Sequence, residues 1–160
     1  MHGLPNTVHA DTSMMATHIA AVSRGAPKKF IIGDLPFLSY RKSLTTNMNN
    51  IEALMKSGSE ALKLEGAIGN LKLISHLVHS GVPIMGHLGL TPQSVHTLGG
   101  HKVQGREKEA QTQILDHAQR LEDAGCFSLV LECVPSALAK KITESLSIPV
   151  IGIGAGPDVD

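Results

Sequence analysis

The chain of 160 residues has no Trp, one Tyr, three Phe and two Cys, and its 14 Lys+Arg are matched by 14 Asp+Glu. Balanced charge leaves no basic stripe to track phosphates, and so few aromatics give no platform on which bases could stack, so nucleic acid is not an expected partner. The longest apolar run, around Pro149 to Ala155, is far short of the roughly 20 residues that a membrane-spanning helix needs. No charged-then-apolar leader opens the chain, so a soluble, cytoplasmic protein with no membrane partner is expected. Cys126 and Cys133 form no C-x-x-C pair, which argues against both a disulfide framework and a zinc knuckle and leaves two small, half-buried hydrophobes.

What the chain does contain is a repeated alternation. Five apolar runs read as strands: Phe30 to Asp34, Ala61 to Glu65, Pro83 to Leu88, Ser128 to Cys133 and Pro149 to Ile153. They are near-continuously aliphatic, as strands of a parallel sheet are when helices cover both faces. Between them lie helical patterns at Asp11 to Ser23, Ser43 to Lys56, Asn70 to His79, Arg106 to Asp123 and Pro135 to Leu146, the last with its proline in the first turn. Apolar stripes such as Met14, Met15, His18, Ile19 and Val22 mark the buried faces. Gly58, Gly81 and Gly125 each stand between a helix and a strand, where a left-handed residue closes the helix. The order is therefore α/β throughout, with one long connection, Thr91 to Gly105. A five-stranded doubly wound sheet suits this length, whereas a (β/α)₈ barrel typically takes about 250 residues, so the pattern alone leans to the sheet.

In both architectures functional groups gather at the carboxyl ends of strands, and here the runs end in Asp34, in Lys63 and Glu65, in His87, in Glu132, and in Gly152, Gly154 and Gly156. Each has an ordinary reading. Asp34 could cap a turn, Lys63 and Glu65 could pair on one face of their strand, and His87 could be a satisfied structural histidine. The glycines lack the G-x-G-x-x-G spacing and make room for a ligand more readily than they cradle phosphate. Glu132 follows Leu129-Val130-Leu131, and apolar neighbours raise a carboxyl pKa toward that of a general base or acid. Four aliphatic strands that each end in an ionisable group are better explained by one shared site. An oxygen donor, a lysine, a histidine and an isolated glutamate suit proton abstraction beside a carbonyl, with a divalent ion such as Mg²⁺ stabilising the enolate.

The strings Gly33-Asp34-Leu35-Pro36-Phe37, Lys63-Leu64-Glu65-Gly66, Gly86-His87-Leu88-Gly89-Leu90-Thr91-Pro92-Gln93-Ser94, Lys102-Val103-Gln104-Gly105-Arg106, Leu131-Glu132-Cys133-Val134-Pro135 and Ile148 to Gly156 resemble, in order, the ketopantoate hydroxymethyltransferase family. That resemblance implies a (β/α)₈ barrel of the phosphoenolpyruvate/pyruvate type, of which residues 1–160 would be a single incomplete domain holding about strands three to seven. The family's Gly-Asp-Ser strand, which carries a second Mg²⁺ ligand, has no counterpart here, and Pro5-Asn6-Thr7 departs from the family loop.

The resemblance further implies transfer of a hydroxymethyl unit from 5,10-methylenetetrahydrofolate to a 2-oxo acid, 3-methyl-2-oxobutanoate. Asp34 would be a Mg²⁺ ligand that also meets the substrate, and Lys63 would bind the substrate carboxylate. Glu65 would act close to the metal, His87 would hydrogen-bond in the substrate site, and Glu132 would be the base that takes the C3 proton. A homo-oligomer is implied for the full-length form. The alternatives are a folate-independent, Mg-dependent lyase or mutase of the same barrel type, or an inactive fragment.

Overall fold

The structure, a computed structural model, describes residues 3–160; the Met1-His2 start of the expected domain lies outside the described residues. The chain separates into two compact units, one running to Leu64 and the other from Glu65 to Asp160.

In the first unit a 3₁₀ turn at Thr7–His9 is followed by α1 (Thr12–Gly25), β1 (Ile32–Asp34), α2 (Leu44–Lys56) and β2 (Ala61–Glu65), whose last residue opens the second unit. Asn6, in the segment that departs from the family loop, caps the 3₁₀ turn by accepting the Val8 N–H at 3.1 Å. Both helices start at side-chain caps: Asp11 accepts the Met14 N–H at 2.8 Å and Ser43 accepts the Thr46 N–H at 3.3 Å. Each cap satisfies an N–H that the first helical turn cannot pair internally. β1 and β2 run parallel, with Ile32 opposite Ala61, Gly33 opposite Leu62 and Asp34 opposite Lys63. The expected α1 stripe narrows to Ile19: Val22 is exposed, and no other residue of α1 is buried. Met14, Met15 and His18 are half-buried. A Cβ on Gly33 would come within 2.7 Å of Ile19 Cδ1, so the missing side chain at Gly33 leaves the room in which Ile19 meets β1.

The second unit contains α3 (Leu71–His79), β3 (Ile84–Gly89), a 3₁₀ turn (Pro92–Ser94), α4 (Lys108–Asp123), β4 (Ser128–Glu132), α5 (Ser136–Ser145) and β5 (Val150–Ile153). β3, β4 and β5 are parallel neighbours; Gly86 lies opposite Leu129, Gly89 opposite Glu132, and Glu132 opposite Ile153. Leu129 and Leu131 on β4, Ile84 on β3, Ile74 and Leu77 on α3, Leu121 on α4 and Ile142 on α5 are fully buried. Continuous burial along β3 and β4 is what their unbroken aliphatic runs require. The glycines at the helix-to-strand junctions take the left-handed conformation, with φ of 108° at Gly58, 87° at Gly81 and 97° at Gly125.

Several boundaries move inward for reasons of hydrogen bonding. β1 begins at Ile32 and not Phe30, because the Ile31 N–H is taken by the Glu60 side chain at 3.0 Å and Phe30 is exposed. β3 begins after Pro83, which has no N–H to offer a ladder. Pro135 is the cap before α5 and not its first residue; its ψ of 136° is extended, and Leu138 and Ala139 donate to its carbonyl. After β5 the chain turns back, and Asp160 answers both main-chain groups of Val150: its N–H donates to the Val150 carbonyl at 3.1 Å and its carboxylate accepts the Val150 N–H at 2.9 Å. Among the described residues no helix is long and apolar enough to cross a membrane.

Candidate active site

The five ionisable residues singled out in the sequence all fall at or near the carboxyl ends of strands, and within the units they form two clusters. In the first, Asp34 closes β1 and faces Lys63 on β2, as their register dictates, with Nζ 2.7 Å from Oδ1. That Asp34 oxygen is shut off from water and accepts no hydrogen bond, so the lysine charge is what compensates it.

The second cluster is a row of three. Glu65 ends β2, His87 lies inside β3 and Glu132 ends β4. His87 is 2% exposed and sits between the two carboxylates, Nδ1 3.8 Å from Glu65 Oε1 and Nε2 3.2 Å from Glu132 Oε2. Glu65 is nearly as deep, its side chain 4% exposed, and its Oε2 accepts the main-chain N–H of Gln93 at 3.0 Å. The Asn70 side-chain amide donates to the Glu65 carbonyl at 3.0 Å, and Gly66 N–H donates to the His87 carbonyl at 2.9 Å, so the backbone under both groups is fixed. Glu132 keeps a side chain that is 19% exposed. It is the member of the row that can meet a small molecule while lying among Leu129, Val130 and Leu131, all buried.

Two contributors were not foreseen in the sequence. Gln93 acts through its main chain, and the visible signal was Thr91-Pro92 directly after a strand: a proline suited to a tight turn that exposes the next N–H. Gly89 is the other. Its φ is 87°, and a Cβ there would collide with the Glu132 carbonyl oxygen, to which Leu90 donates its N–H at 2.7 Å. The glycines in and after β5 serve the chain itself more than a ligand. A Cβ on Gly152 would meet Val159 and one on Gly156 would meet Ser136, while the space at Gly154 is open. Both cysteines are free.

Among the described residues no three His, Cys, Asp or Glu side chains gather as a ready-made metal cage. Mg²⁺ does not need one, because it keeps several waters and is held by one or two carboxylates together with substrate oxygens. Asp34, a hard carboxylate whose side chain is 43% exposed, fits one corner of such a site. Glu65, buried and already accepting from Gln93, does not fit as a direct ligand.

The whole chain, residues 1–160, matches the family model described as ketopantoate hydroxymethyltransferase. It is 64% identical over 160 residues to the 3-methyl-2-oxobutanoate hydroxymethyltransferase of Bdellovibrio bacteriovorus, covering 100% of this chain and 61% of that protein. The protein of the same name from Coxiella burnetii is 61% identical over 158 residues, covering 98% and 59%. The chain thus spans about three-fifths of the length of these curated relatives. Among solved structures it resembles 2,3-dimethylmalate lyase, a member of the PEP mutase/isocitrate lyase superfamily, with a TM-score of 0.67 at 14% identity over 99% of this chain and 58% of that one. Oxaloacetate acetylhydrolase gives a TM-score of 0.66 at 14% identity over 94% and 54%. At such identities the likeness is one of fold: an α/β chain of parallel strands, similar to part of a (β/α)₈ barrel. The lean toward a doubly wound sheet, which rested on length, is corrected accordingly.

Proposed function

The chain belongs to the ketopantoate hydroxymethyltransferase family, and on that premise we propose that it carries the base and substrate-binding groups for moving a hydroxymethyl unit from 5,10-methylenetetrahydrofolate to 3-methyl-2-oxobutanoate. The product is 2-dehydropantoate, on the route to pantothenate. The observation that carries the reading is Glu132: a carboxylate at a strand end, next to buried aliphatic residues, partly open to solvent and braced by His87 Nε2 at 3.2 Å.

Glu132 takes the proton from C3 of the 2-oxo acid. The C–H electron pair enters the enolate. Water adds to the folate methylene carbon as its two C–N bonds break, so tetrahydrofolate leaves and a one-carbon unit at the formaldehyde level remains; the enolate carbon forms the new C–C bond to that carbon, and the resulting alkoxide takes back the proton held by Glu132. Lys63 gives the substrate carboxylate a cation, which is already oriented by its pairing with Asp34. Asp34 would hold Mg²⁺, whose Lewis acidity would make the C3 proton easier to remove. We further propose that the whole protein is cytoplasmic and homo-oligomeric, as the family resemblance implies.

The test is a chimaera in which residues 1–160 replace the matching segment of the Bdellovibrio relative. It should form 2-dehydropantoate only when methylenetetrahydrofolate is present. Turnover of the 2-oxo acid that persists without folate would overturn the transferase reading in favour of a lyase.

A further inference from the structure

His87 could serve the site in two ways, by hydrogen-bonding the substrate or by acting through another residue. Its geometry separates them. The ring is 2% exposed, and both nitrogens are turned to carboxylates of the chain, at 3.8 Å and 3.2 Å. We propose that His87 is a positioning residue: oriented by Glu65, it fixes the Glu132 carboxylate in the direction from which that group meets the substrate. This deepens the reading of Glu132 as the base and rests on it.

The row is rigid at one end and needs rigidity at the other. Glu65 is anchored through Oε2 by the Gln93 N–H and through its carbonyl by Asn70, so its remaining oxygen is held at a fixed place 3.8 Å from Nδ1. A carboxylate oxygen fixed beside Nδ1 favours the ring orientation that turns Nε2 toward Glu132, 3.2 Å away. Glu132 stands two register steps from the position opposite His87, on the same face, because Val130 is paired with His87 and Glu132 with Gly89. With two free side-chain torsions beyond Cβ and a partly open surface, Glu132 would sample several rotamers if nothing braced it. A base displaced by about 1 Å loses on the order of 10²-fold in rate.

Two measurements test this. In the chimaera, His87→Ala should lower kcat about 10²-fold with KM changed less than about twofold, because the interaction lost is one that matters only in the transition state. His87→Gln, whose amide can still donate to a carboxylate, should recover part of the loss. A raised KM with kcat unchanged would make His87 a substrate-binding group and overturn the proposal.

The second measurement does not depend on turnover, so it separates failure of this inference from failure of the transferase reading. In ¹⁵N spectra of the histidine side chains of the 160-residue chain, Glu65→Gln and Glu132→Gln should each move the His87 ring-nitrogen resonances. Spectra in which His87 responds to neither variant would overturn it.

Discussion

Gly89 and Glu132 are register partners of β3 and β4, and the Gly89 Cα approaches the Glu132 carbonyl so closely that no side chain fits between them. The strand end that presents the base is thus shaped by a residue with no side chain. Gly89→Ala combines a positive φ of 87° with a clash against backbone, which cannot move aside as a flexible side chain can. It should destabilise the chain by at least about 2 kcal/mol, read as a fall in the urea midpoint, and should weaken the Leu90 N–H bond to Glu132. An Ala variant with an unchanged midpoint would show that the approach is looser than described.

Glu122 near the end of α4 accepts both the N–H and the hydroxyl of Ser147, at 2.7 and 2.6 Å. These bonds, the hydroxyl first, hold its pKa below the usual 4.5. A depressed carboxylate pKa stabilises the fold above the unfolded value and loses that stabilisation as pH falls through the folded value. Urea midpoints of the wild type and Glu122→Gln should therefore differ most near neutral pH and converge below about pH 4.5. A difference that grew on acidification would have the wrong sign.

The two cysteines should react at very different rates. Burial pushes the Cys126 thiol up to about 12, so its thiolate is scarce at neutral pH. Cys133 is only partly buried and sits in the loop after β4 with a left-handed φ of 51°. Alkylation of the native chain at pH 7.5, mapped by mass spectrometry, should modify Cys133 first, with Cys126 reacting only after denaturation. Equal labelling of both would contradict the burial of Cys126.

How far the sequence could be read varies with the range of the interactions. Strands β2 to β5 and all the helices announced themselves through aliphatic runs, caps such as Asp11 and Ser43, and closing glycines, all of which are local. The errors came where a distant partner decides: Phe30 is outside β1 because Glu60 takes the neighbouring N–H, and Ile19 is the α1 side chain that becomes buried, where Gly33 leaves room for it. The site follows the same rule. Strand-end placement exposed all five ionisable residues, but not that His87 lies between Glu65 and Glu132, or that Gln93 anchors the row. Those facts depend on the register and turn that bring together groups far apart in the chain.

The central claim is that Glu132 removes the C3 proton, and its most direct test is exchange of that proton with solvent. The chimaera, incubated in D₂O with 3-methyl-2-oxobutanoate and Mg²⁺ and followed by proton NMR, should replace the C3 hydrogen with deuterium. Glu132→Gln should slow that exchange by at least about 10²-fold, the lower end of what a general base contributes. Exchange at the wild-type rate in the Glu132→Gln protein would contradict the account.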